Sequence, residues 1–136
     1  MGMPSDVPHL KADNNDYANP YGSEIALFRT SEGGMSRMAV CWDLPGAHGE
    51  KGRVYGQKIG NGEVHTKRPP LPPGVKGGGH GGSHGHLTTE FIDAILRDRK
   101  PWVDVATALN MTVAGIVAHQ SALRDGELMK IPQYTL

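Results

Sequence analysis

Residues 77–86 read Gly-Gly-Gly-His-Gly-Gly-Ser-His-Gly-His, a run that holds three of the chain's seven histidines among six glycines. An imidazole donates, accepts or binds a metal near neutral pH, and glycine lets the backbone take positive φ or approach another group closely. Three chemistries fit such a run: a phosphate cradle, a metal site, or a loop that offers histidine and backbone amides to a polar ligand. Simple helix capping is the alternative to all three.

The spacing Gly77, Gly79, Gly82 is formally the glycine pattern that cradles a dinucleotide pyrophosphate. That pattern must follow a buried strand, and here it follows Lys-Arg-Pro-Pro-Leu-Pro-Pro-Gly-Val (67–75). Four prolines cannot sit in a central parallel strand, so no cofactor-binding residue is assigned. His80, His84 and His86 would have to bend together to hold zinc, without a cysteine or carboxylate in the loop, so no metal ligand is assigned either. The reading preferred for His80 and His84 is contact with a sugar-like ligand at the start of a helix.

Trp42 and Tyr55 are the aromatic residues best placed to stack on a sugar ring, although aromatics at strand spacing are usually core. His119 lies near the apolar face of a predicted helix, where a core histidine bonded to a backbone carbonyl is the default. Asn110 and Gln120 are ambiguous in the same way. The pair Asp6 and His9 is separated by a proline on an irregular segment and is given no role. No G-x-S-x-G, H-E-x-x-H, C-x-x-C or P-loop occurs, so no catalytic residue is assigned.

The elements that must position these groups follow from periodicity. Met1–Gly22 contains three prolines and reads as an irregular lead-in. Glu24–Thr30 and Arg37–Asp43 are β-rich runs around Ser31–Ser36, whose paired glycines predict an antiparallel hairpin near 24–43. Both faces of its second strand are predicted to be covered, with Cys41 half-buried. Leu44–Gly49 reads as a loop, and short strands are predicted near 52–66 around Gly60-Asn-Gly62. Residues 67–82 form a stiff Pro/Gly connector ending in the Gly-His loop.

Leu87, Phe91, Ile92, Ile95 and Leu96 recur at helical spacing and predict a helix near 83–98. A second is predicted near 104–125, capped by Asp104, stopped by Gly126, with an apolar face at Val105, Leu109, Thr112, Ile116 and Leu123. The tail before Pro132 fits one edge strand. The fold class is therefore α+β, an open and mainly antiparallel sheet with two helices, in a single partial domain spanning 1–136.

Composition narrows the partners. The 136 residues carry fourteen basic and fourteen acidic side chains, so no net field recruits nucleic acid. No apolar stretch approaches the ~20 residues of a membrane helix, and the first residues lack the pattern of a signal peptide. The lone Cys41 rules out an internal disulfide and fits a reducing compartment, so a cytoplasmic location is slightly favoured over an exported parent.

The runs Gly78–His84, Phe91–Ile95, Pro101–Asn110 and Gly115–Ala122, closed by Gly126-Glu127 and Ile131-Pro132, resemble the C-terminal end of Gfo/Idh/MocA-like oxidoreductases. This is the family of glucose-fructose oxidoreductase and inositol dehydrogenase. Gly22–Phe28, Ser31–Gly34 and Gly52–Gln57 look like the preceding sheet of the same domain. The resemblance implies an N-terminal Rossmann domain that binds NAD or NADP, and a C-terminal α+β domain for substrate contact and subunit pairing. It implies hydride transfer on a sugar or polyol, or, in one branch, NAD-dependent glycoside hydrolysis. In that branch similar loops lie at the active site, so His80, and with it His84, would face the substrate.

Departures limit what carries over. The chain has no Rossmann half, no Glu-Lys-Pro motif (Glu50-Lys51 precedes Gly52), and no helix-borne Asp and His pair like the family's. The expectation is thus the last third of such a protein, binding no cofactor and inactive by itself, with a homo-oligomer formed through the sheet. A small metal-binding or pairing module without enzymatic role is the competing expectation.

Overall fold

A computed structural model describes residues 1–42, 49, 52–55, 62–63 and 69–136. They group into two compact units, Met1–Ala47 with Val105–Leu136, and His48–Asp104.

The first unit is built on an antiparallel sheet of three strands, β1 (Gly2–Pro4), β2 (Tyr21–Arg29) and β3 (Met35–Cys41), in that spatial order. β2 and β3 form the predicted hairpin, in a register that sets Ile25 opposite Ala39 and Leu27 opposite Arg37. Of the two loop glycines only Gly33 takes positive φ (80°), and the Thr30 hydroxyl closes the turn by accepting from the Gly34 amide at 2.9 Å. The lead-in is more ordered than its prolines imply. β1 pairs with β2, a 3₁₀ turn forms at Pro8–Leu10, and Asn15 organises the segment between them.

The tail beyond Gly126 forms no strand, and the third strand of the sheet comes from the N-terminus instead. Asn110 explains the tail's course. Its amide donates to the Tyr134 carbonyl at 2.9 Å and accepts from the Tyr134 N–H at 2.8 Å, satisfying backbone groups that a ladder would otherwise use.

Helix α2 (Val105–Ala122) packs against β2. It begins directly after Asp104, and Gly126, at φ 84°, donates to the Ser121 carbonyl at 2.9 Å in the turn that stops it. Its predicted apolar face is not its buried face. Ala106, Val117 and Ala122 are buried, while Val105, Leu109, Ile116 and Leu123 stay exposed, because small side chains are what a close helix–sheet approach accommodates. Every residue of β3 is exposed, Cys41 included, so the expected cover on both faces of that strand is not present.

In the second unit β4 (Arg53–Val54) and β5 (Gly62–Glu63) pair as a separate two-stranded sheet. The rest of the strands expected near 52–66, the Gly60-Asn61 turn and the 44–48 loop lie outside the described residues. Helix α1 (Gly79–Leu96) contains His80, Gly81 and Gly82 in left-handed conformation, so regular winding starts at Ser83, as the periodicity predicts.

Its C-terminal turn is closed by Arg99. The guanidinium binds Glu90 in bidentate fashion at 2.8 and 2.7 Å and reaches Asp93 at 2.7 Å, while the Trp102 N–H donates to Glu90 at 2.9 Å. Hydrogen bonding from Arg99, then from the Trp102 amide, holds the Glu90 carboxyl down to about 2, and Arg99 likewise lowers Asp93. The folded-state value of Glu90 lies below its ordinary 4.5. The network therefore contributes fully above pH 4.5 and is lost as the pH falls from there to about 2. NMR titration of the Glu90 carboxyl carbon should give a midpoint near 2. In Arg99→Ala it should rise toward 4.5, with faster exchange of the Trp102 amide.

Candidate functional site

The Gly-His loop is shaped by backbone contact rather than by side-chain packing. The Gly85 N–H donates to the Gly77 carbonyl at 2.7 Å, folding the loop back onto the first turn of α1. A Cβ on Gly85 would lie 2.5 Å from the Lys76 carbonyl oxygen, and one on Gly77 would lie 2.9 Å from the Gly82 Cα. A Cβ on Gly78 or Gly79 would press on the His84 side chain at 3.1 and 3.0 Å. At Gly77 and Gly85 a side chain would therefore collide with backbone, whereas at Gly78 and Gly79 it would press only on the His84 side chain.

His80, at φ 50°, is held in the left-handed region, which costs a non-glycine residue about 1 kcal/mol. It is exposed, and its ring lies 5.3 Å, centroid to centroid, from that of His84, tilted by 56°. Two imidazoles are thus presented together beside a backbone cradle. Among the described residues no three His, Cys, Asp or Glu side chains gather as metal ligands, and His86 does not complete a set. This arrangement offers paired donor and acceptor nitrogens to a polar ligand.

Trp42, the third predicted contact residue, belongs to the other unit. It follows β3 directly, is 76% exposed, and lines a cleft with Leu10, Asn15, Tyr17, Asn19 and Tyr21. Tyr55 is also exposed. The structure brings His80 and His84 together and places Trp42 in the other unit.

His119 differs from its predicted role. Its Nδ1 lies 2.6 Å from Glu24 Oε1 rather than against a backbone carbonyl, and the Tyr21 ring meets it edge-on at 6.0 Å. A carboxylate only accepts, so Nδ1 carries the proton in this bond. Both side chains are about 30% exposed or less, and Nε2 has no hydrogen-bond partner among the described residues. The carboxylate fixes the orientation of the imidazole ring. Glu24 is the functional candidate that sequence reasoning missed, since its partner lies 95 residues away and no local spacing marks it.

Comparisons with models of protein families, with curated proteins and with solved structures give no match.

The glycine geometry can be tested directly. Gly85→Ala should destabilise the chain by about 1–3 kcal/mol in thermal unfolding and erase the His80–His84 ring contact in NMR spectra. Gly81→Ala, with open space around its Cβ and only a φ of 63° to oppose it, should cost about 1 kcal/mol and keep that contact. Equal effects would mean that the close approach is not what shapes the loop.

Proposed function

We propose that this chain is the substrate-binding and subunit-pairing C-terminal part of an NAD(P)-dependent oxidoreductase acting on a sugar or polyol. The observation that carries the reading is the Gly-His loop: exposed His80 and His84 rings held side by side where a tightly folded glycine backbone enters α1. Vicinal hydroxyls of a sugar or polyol match two neighbouring imidazole nitrogens, each able to donate or accept. The resemblance of the Gly-His, helix and tail motifs to Gfo/Idh/MocA-like proteins supplies the reaction class.

The pairing role is supported by unburied apolar side chains. The described residues bury only four hydrophobic residues, Ala94, Ala106, Val117 and Ala122, while Ile25, Leu27 and Met35 stand exposed on one face of the β2–β3 hairpin. Arg29 and Arg37 stand on the same face, so it is a mixed surface of exposed apolar side chains and two cations, of the kind a subunit contact can cover. Hydride acceptor and proton-transfer groups would come from a nucleotide-binding domain encoded upstream.

The test uses the chain joined to the sequence encoded before Met1. That protein should bind NAD or NADP and reduce it with a sugar or polyol from a panel, and His80→Ala should lower kcat/KM at least tenfold, mainly through KM. A protein that binds neither nicotinamide nucleotide overturns the reading. Release of a free sugar from an aryl glycoside, dependent on NAD, would move it to the glycosidase branch.

A further inference from the structure

In the first unit, a cleft of about 190 Å³ opens between the segment Leu10–Tyr21 and the end of β3. Small-molecule sites commonly occupy roughly 300–1,000 Å³, so this one accommodates a single ring rather than a dinucleotide. Its walls combine three aromatic rings, Tyr17, Tyr21 and Trp42, with the amide of Asn19. Tyr17 and Trp42 are 91% and 76% exposed, so their rings are open to solvent rather than used as core.

The cleft is rigidly framed. Asn15 spends its whole side chain on the segment, donating to the Lys11 and Asn19 carbonyls and accepting from the Tyr17 and Asn19 amides. Between them Ala18 is held at φ 49°, a strained conformation that such bonding must sustain. Tyr21 is fixed from the other side, its hydroxyl donating to the Ala122 carbonyl at 3.1 Å. Asn19 is only half used: its Oδ1 accepts from the Tyr21 N–H at 2.9 Å, and its Nδ2 has no partner among the described residues. Asn19 thus lines a cleft walled by exposed aromatic rings with its amide donor unspent among the described residues.

We propose that this cleft is a subsite for one hexopyranose ring, distinct from the Gly-His loop. The C–H face of a pyranose stacks on an aromatic ring, while its hydroxyls need a donor at the edge, and Trp42 and Tyr17 with Asn19 Nδ2 supply that combination. A linear polyol has no such face, and a purely apolar ring leaves Asn19 unused. The choice of sugars as ligand rests on the carbohydrate reading above, whereas the subsite needs neither a nicotinamide cofactor nor the Gly-His loop.

The experiment titrates the full chain, carrying Trp102→Phe so that Trp42 is the sole indole, with methyl glucopyranoside and methyl galactopyranoside while Trp42 fluorescence is followed. Saturable change with a Kd of about 1–10 mM is expected, weak binding in keeping with one ring on an open surface. By saturation-transfer NMR, Trp42→Ala and Tyr17→Ala should weaken binding at least tenfold and Asn19→Ala several-fold. Trp42→Phe should retain it, and His80→Ala should leave it unchanged. A linear response to 100 mM, equal binding of sorbitol or of cyclohexanol, or loss in His80→Ala overturns the proposal. Pyranose binding without NAD(P)-linked oxidation by the longer protein leaves the subsite standing and removes the oxidoreductase reading, and the reverse result removes the subsite alone.

Discussion

The first unit depends on the bond between Glu24 and His119. β2 is the one strand that pairs on both sides, and α2 covers it through small side chains that bury little apolar area. Ala106, Val117 and Ala122 contribute close fit rather than bulk, so the helix is held in place largely by polar contacts to β2. The 2.6 Å bond from His119 to Glu24 is one such contact, and the Tyr21 hydroxyl on the Ala122 carbonyl is another. Together they set where the end of β2 lies, and with it Tyr21 in the aromatic cleft. The same bond fixes the orientation of the imidazole ring.

The second unit relies on a different device, excluded volume. Its loop could have been built from side-chain hydrogen bonds, as in the Asn15 segment, but instead Gly77 and Gly85 leave out the Cβ atoms that would keep the backbone apart. His80 is the exception, kept in a conformation glycine would adopt more readily. Such a residue persists where its side chain is wanted.

Legibility from sequence followed the range of the interactions involved. The hairpin, the start of regular winding at Ser83 and the stop at Gly126 are local: alternation, helical period and positive-φ glycines encode them within a few residues. So was the likelihood that His80 and His84 would share one loop. What the periodicity could not convey is which face of α2 is buried, since Val105, Leu109, Ile116 and Leu123 form the stronger apolar stripe and the alanines the actual contact. The tail before Pro132 is long enough for an edge strand, yet Asn110 claims the tail backbone at Tyr134 and Gly2–Pro4 takes the place beside β2. Glu24 with His119, and the cleft joining Leu10–Tyr21 to Trp42, depend on contacts across the chain that no spacing announces.

The exposure of β3 bears on how this protein must be handled by a cell. Among the described residues β3 ends the sheet, so its outer row of backbone N–H and C=O groups meets water, and its side chains carry none of the prolines that blunt such an edge. Arg37 is the single charge on it. A strand in that state is a template for any other extended chain, and its lifetime in monomeric form shortens as concentration rises. An edge of this kind, while uncovered, is the part of the fold at which non-native pairing with other extended chains begins.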